Sequence, residues 1–164
     1  NKMPVIFSAG SKGRDFEKLI ESLDGKTRLI ILSNSQIAAR ENTEVFKLNQ
    51  NLFNFKALIS RSDFTVIPVS DYERNETAGM AVCFISMAMG KPALIKKTGW
   101  IEKYIKDGAN GFLYSKTAEM KRKIDFIIKQ AEKLADIGKK SRETMVKKAS
   151  LDGFAMNLLK KNLK

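Results

Sequence analysis

The chain has 164 residues, 43% of them hydrophobic, which is about one domain's worth of sequence with enough apolar content to bury a core. It has no histidine and one cysteine, which excludes Ser-His-Asp and Cys-His catalysis, an intramolecular disulfide and a zinc site built on thiolates and imidazoles. The formal charge of +12 favours anionic partners: phosphates, nucleic acid or anionic lipid head groups.

Pro4 to Ser8 (PVIFS) is short, apolar and β-branched, and predicts a first strand. Ala9-Gly10-Ser11-Lys12-Gly13-Arg14 follows, a glycine-containing turn with two cations. From Asp15 onward Phe16, Leu19, Ile20 and Leu23 recur at helical spacing, up to Gly25. Strand, glycine turn and helix make a phosphate-binding geometry, and Arg14 stands where a guanidinium forks onto a phosphate. Taken alone, Gly10 and Gly13 fit any tight turn between strand and helix equally well. Leu29 to Leu32 reads as a second strand, residues 36 to 43 as loop or a short helix, and Val45 to Leu48 as a short third strand. Leu52 to Ser62 is helical in pattern, with Phe55, Leu58 and Ile59 on one side.

Residues 63 to 99 organise the rest. Phe64 to Val69 predicts a buried strand, Ser70 to Thr77 a polar loop, and Ala78-Gly79 opens a helix that runs through Met89 to Gly90. Ala93 to Ile95 is the next strand, so the stretch is a βαβ unit. Ligands of such units settle where strand carboxyl ends meet helix amino ends. The helix at Gly79 can offer free N–H groups and the positive end of its dipole to a phosphate. The loop carboxylates Asp71, Glu73 and Glu76 suit hydroxyls, and the pair of features suggests a nucleotide or a nucleotide sugar. Each piece has a plainer reading. Glu76 could be a solvated loop carboxylate, Gly79 a packing glycine, Gly99 an ordinary turn, and Met80, Met87 and Met89 core filler.

Trp100 to Ile105 predicts a short helix, and Asn110-Gly111 a turn into a last strand, Phe112 to Tyr114. Met120, Ile124, Ile127, Ile128, Ala131 and Leu134 form one apolar stripe, which Ile137-Gly138 should break. Arg142 to Ala149 and Phe154 to Leu163 should close the chain as lysine-dense helices. The sum is an α/β fold: a Rossmann-like parallel sheet with helices on both faces and a helical carboxyl-terminal tail.

The order ETAGMAV…SMAMGKPALI…TGWIEKYIKDGANGFLY resembles the carboxyl-terminal, donor-binding half of group 1 glycosyltransferases with the GT-B fold. The matching residues are Met87 to Pro92, then Gly99, Glu102, Ile105, Asp107-Gly108 and Asn110-Gly111, and FSAGSKGRDFEKLIESL resembles the family's first strand and cationic turn. The resemblance implies a nucleotide-diphosphate sugar as ligand and a retaining transfer that needs no bound metal and no cofactor. It implies that Gly79, with the N–H groups of Met80 and Ala81, holds the diphosphate, and that Gly10 and the stretch at Thr98-Gly99 line the same pocket. Arg14, with Lys12, would neutralise the leaving phosphate, and Glu76 would lie near the sugar hydroxyls or the ribose. The second glutamate of the family's paired-glutamate motif falls at Ile85, which cannot contact hydroxyls; Glu76 or Glu73 compensates, or the donor is bound differently, or not at all.

The resemblance also implies that residues 1–164 are one donor domain, that the acceptor domain is absent, and that the piece alone binds donor without turning it over. The product would be a cell-surface glycan or glycolipid. The competing readings are a degenerate, non-catalytic sugar-nucleotide-binding domain and a basic nucleic-acid-binding module. The second is disfavoured because aromatics are not interleaved with the basic runs. No stretch approaches the roughly 20 apolar residues of a membrane span. Lone Cys83 fits a cytoplasmic setting, and the basic tail fits an anionic membrane surface or a solvated helix pair.

Overall fold

The structure, a computed structural model, describes residues 3–48 and 52–150, so the expected helix at Phe154 to Leu163 lies outside the described residues. In chain order the strands and α-helices are β1 (Val5–Ala9), α1 (Phe16–Glu21), β2 (Arg28–Leu32), β3 (Thr43–Phe46), α2 (Leu52–Ser60), β4 (Phe64–Ile67), α3 (Met80–Ala88), β5 (Ala93–Lys96), β6 (Phe112–Tyr114), α4 (Met120–Lys129) and α5 (Leu134–Lys148). The strands form one sheet in the order β3-β2-β1-β4-β5-β6, every pairing parallel. The order reverses between β1 and β4, and the crevice at their carboxyl ends is where an open α/β sheet takes ligands.

Burial explains the strands. β1, β4 and most of β2 are buried on both faces, which is why they read as continuous apolar runs without alternation. On one face Ile6, Leu29, Ile31, Phe64, Val66, Leu94, Phe112 and Tyr114 pack under α1, α4 and the start of α5. On the other face Phe7, Ala9 and Ile30 meet Leu58 and Ile59 of α2. On that same side Ile67, Ala93 and Ile95 meet Cys83 and Met87 of α3 and Met145 of α5. Burial pushes the Cys83 thiol up to about 12, so it packs as an apolar group.

Three expectations need correction. The strand expected to reach Val69 stops at Ile67, because Pro68 has no N–H to continue a ladder. The expected helix at Trp100 to Ile105 is one 3₁₀ turn, Ile101–Lys103. Gly138 breaks nothing: the apolar stripe is interrupted at Gln130, and α5 runs unbroken from Leu134 through Gly138 to Lys148, absorbing the separate helix expected at Arg142. Leu134 and Ile137 belong to one core and Met145 to the other, so α5 passes from one face of the sheet to the other. Gly138 lies at that crossing, where a Cβ would overlap the carbonyl oxygen of Gly90.

Tyr114 ties the last strand to the site. Its buried hydroxyl lies 3.0 Å from the carbonyl oxygens of both Ile67 and Val69, at the end of β4. Tyr114→Phe should cost about 1–3 kcal/mol, because the buried Val69 carbonyl loses its donor. Urea unfolding checks this, and an unchanged midpoint would show that the hydroxyl carries no stabilisation.

Candidate functional site

The site is built where β1 and β4 end. The turn after β1 is joined to the segment after β4: the Asp15 N–H donates to the Pro68 carbonyl at 2.7 Å and the Ser70 N–H to the Gly13 carbonyl at 3.0 Å. These bonds flank an antiparallel bridge between Arg14 and Val69. Asp15 caps α1 by accepting from the Lys18 N–H, which sets Arg14 just outside the helix. The Arg14 side chain folds back over Gly10, with Nε and Nη1 each 3.4 Å from a carbonyl oxygen, those of Ala9 and Lys12. A Cβ on Gly10 would stand 2.7 Å from Arg14 Nε.

The same guanidinium reaches the amino end of α3. Gly79 precedes that helix at φ +85, and a Cβ there would stand 3.4 Å from Arg14 Nη2 and 2.5 Å from Ile67 Cγ2. Glycine is required at 79 twice over, by the left-handed backbone and by the approach of Ile67. Among the described residues no carboxylate comes within ion-pair distance of Arg14, although the residue is half-buried. Burial lowers the Arg14 pKa, while the Tyr114 phenol and the Glu73 carboxylate act in the opposite direction. The guanidinium thus stays charged with no carboxylate paired directly to it.

Around it lie unused donors. Among the described residues, the N–H groups of Gly79, Ala81 and Val82 have no acceptor, nor do those of Lys12, Gly13 and Arg14 in the turn. The Met80 N–H is taken by the Thr77 carbonyl at 3.0 Å. A cation between a helix amino end and a second cluster of backbone donors suits an anion with two charged groups.

The acidic loop folds on its own side chains. The Tyr72 N–H donates to Ser70 Oγ at 3.2 Å, the Asn75 N–H to Glu73 Oε1 at 2.8 Å, and the Thr77 N–H to Asn75 Oδ1 at 3.0 Å. Asp71 is engaged elsewhere, accepting from the N–H and hydroxyl of Thr117. Glu73 faces the turn, and a Cβ on Gly13 would overlap its Oε2. Glu76 is exposed; its carbonyl accepts from Thr98 Oγ at 3.1 Å, and Thr98 in turn accepts from the Ile101 N–H at 3.3 Å.

Of the residues singled out from sequence, Gly10, Arg14, Gly79 and Ala81 come together here. Thr98 holds the end of the acidic loop in place, Gly99 is exposed beside it in sequence, and the Lys12 and Glu76 side chains lie on the surface. Ile85 is partly buried on α3 against the cluster of Val5, Phe7, Ala9 and Leu58, an apolar contact that a carboxylate could not make. Sequence reasoning did not find the Val82 N–H or Lys96, whose ammonium donates to the Ser70 carbonyl at 3.0 Å. The signal for Lys96 was its place at the carboxyl end of β5.

The model of the family "Glycosyl transferases group 1" matches residues 15–144. The chain belongs to this family. Among curated protein sequences no match is found. Solved glycosyltransferase structures share the fold. Anabaena HepE in complex with UDP and glucose superposes with TM-score 0.76 at 14% identity, over 98% of this chain and 48% of that one. An S. aureus TarM mutant in complex with Fondaparinux, alpha-GlcNAc-glycerol and UDP gives TM-score 0.76 at 14% identity, over 96% of this chain and 35% of that one. The carboxyl-terminal domain of the glycosyl transferase group 1 protein LpcC from Francisella tularensis gives TM-score 0.69 at 11% identity, over 91% and 89%. The chain thus spans 34% to 48% of the length of the first three solved structures it matches. The family match begins one residue after Arg14, so it does not itself cover the guanidinium.

Proposed function

We propose that this chain is the donor-binding domain of a retaining glycosyltransferase, and that it seats the diphosphate of a nucleotide sugar between the β1–α1 turn and the amino end of α3. The observation that carries this reading is the half-buried Arg14 guanidinium, without a carboxylate partner and flanked by two groups of unpaired N–H donors. The family and the UDP and glucose bound to a protein of the same fold support it. Gly79 and Ala81 hold the diphosphate, Arg14 offsets the charge that builds on the leaving phosphate, and Glu76 is the carboxylate within the loop's reach of sugar or ribose hydroxyls. Residues 1–164 form one donor domain, and a second Rossmann-like domain reads the acceptor, so this piece alone binds donor without transfer. The product is a cell-surface glycan or glycolipid made at the cytoplasmic side. The exposed lysines of the basic tail that lie on α5, Lys139 and Lys147 among them, are available to an anionic membrane carrying the acceptor. No helix among the described residues is long and apolar enough to cross a membrane.

Ile85 favours one alternative, a domain that has kept the shape and lost donor chemistry. Calorimetric titration with UDP-, GDP- and ADP-sugars, beside a DNA duplex, separates the readings. Saturable binding of one nucleotide sugar is expected; binding of the duplex alone would overturn the proposal. Donor hydrolysis by the longer protein then separates a working transferase from a degenerate one.

A further inference from the structure

The acidic loop places a carboxylate where the proposed diphosphate would sit. Glu73 Oε2 is pressed against Gly13, close enough that a Cβ on that glycine would overlap it and would stand 2.9 Å from the carboxyl carbon. Gly13 belongs to the turn whose N–H groups have no acceptor, and Glu73 acts electrostatically on Arg14. The carboxylate is not tied down there. Its other oxygen accepts only from Asn75, inside the same loop, and among the described residues Glu73 makes no ion pair. The loop is anchored around it, by Lys96 on the Ser70 carbonyl and by Thr98 on the Glu76 carbonyl. Asp71 is held as well, by Thr117 and Lys96, so residues 72 to 75 shift between two fixed ends.

We propose that Glu73 is an internal occupant of the phosphate seat, an anion that the bound diphosphate displaces when residues 72 to 75 swing away from Gly13. This inference rests on the diphosphate reading of the site and adds a built-in competitor to it. Two anions do not share one seat beside Arg14, because like charges placed together in a half-buried site repel strongly. Glu73 therefore lowers affinity for the charged part of the donor, whichever base and sugar that donor carries. It also keeps the guanidinium and the turn partly neutralised when the seat is empty. Glycine at 13, at φ +68, is what lets the carboxylate come so near.

The test is calorimetry with inorganic pyrophosphate and with UDP on four proteins: the unaltered chain, Glu73→Gln, Glu73→Ala and Glu143→Gln. Gln at 73 keeps the oxygen that accepts from Asn75 and removes only the charge; Glu143 is exposed on α5, so its variant makes the same change in net charge away from the site. Both Glu73 variants should bind pyrophosphate and UDP about tenfold more tightly than the unaltered chain, the size of effect expected from removing one adjacent like charge, and Glu143→Gln should match the unaltered chain. Equal or weaker binding by the Glu73 variants would overturn the proposal and make Glu73 a bystander or a hydroxyl ligand. A gain of equal size in Glu143→Gln would overturn it as well, because the effect would then be bulk charge. If no protein binds either probe while all melt as folded domains, the site reading itself fails and the inference falls with it.

Discussion

Replacing Arg14 with alanine should weaken binding of a nucleotide-diphosphate ligand by about 100-fold, while the melting temperature moves little. The two halves of that expectation come from the same geometry. A guanidinium that forks onto a phosphate makes two charge-assisted hydrogen bonds, and losing the pair costs about 3 kcal/mol, or roughly 100-fold in affinity. To the fold itself Arg14 gives two long contacts with carbonyl oxygens, each at 3.4 Å, and no ion pair. Its main-chain role, the bridge to Val69, survives substitution. Arg14→Lys keeps the charge and loses the planar fork, so it should recover only about tenfold of the loss. Calorimetry with UDP, with a thermal melt on the same samples, checks both halves. Unchanged affinity in Arg14→Ala would remove the proposed site.

Gly138→Ala should destabilise the domain by about 3 kcal/mol, at the upper end of what an overpacked contact costs. For a chain of this length that lowers the melting temperature by roughly 6–12 °C. In an exposed helix the same change would stabilise, because alanine is a better helix former than glycine by about 1 kcal/mol. Here the added methyl overlaps the Gly90 carbonyl oxygen and stands 3.0 Å from its carbon. Neither side of that contact yields easily. Gly138 is inside α5, and Gly90 closes α3, its N–H held by the Met87 carbonyl at 2.9 Å. Gly99→Ala is the matched control, because nothing lies within 4 Å of a Cβ there. A melting temperature for Gly138→Ala that equals or exceeds the parent's would show that α3 and α5 can separate at no cost.

Gly138 also shows where reading along the chain fails. A glycine after an apolar stripe is a sound signal for a helix end, and here the signal is false because the partner that demands glycine is 48 positions earlier in the chain, at Gly90. The true interruption, at Gln130, carries no breaker residue at all. Strand ends show the same division. Pro68 could have marked the end of β4, since its missing N–H is visible in the sequence. The bridge from Val69 to Arg14, which aims the guanidinium, joins residues far apart in sequence and leaves no local trace.

The candidate site divides likewise. Gly79 and Arg14, which the structure brings together, stood out in the sequence because a glycine before an apolar helix and a cation after a strand are local patterns tied to phosphate chemistry. The sequence suggested Glu76 as the carboxylate of interest, whereas the structure turns Glu73 toward the turn and leaves Glu76 exposed. Which of several loop carboxylates faces inward depends on the loop's own hydrogen bonds, here Asn75 accepting from Thr77 and Glu73 accepting from Asn75.

By itself, then, the order of residues determined the alternation of strand and helix, the two-sided burial of the central strands and the place of the glycine-containing turn after β1. These follow from periodicity and from backbone preferences, which act over a few residues. Tertiary structure alone decided the strand order, the passage of α5 across the sheet at Gly138, and the meeting of Gly10, Arg14, Glu73 and Gly79 in one crevice. Those depend on which surfaces come into contact once the chain is packed, and that information is spread over the whole sequence.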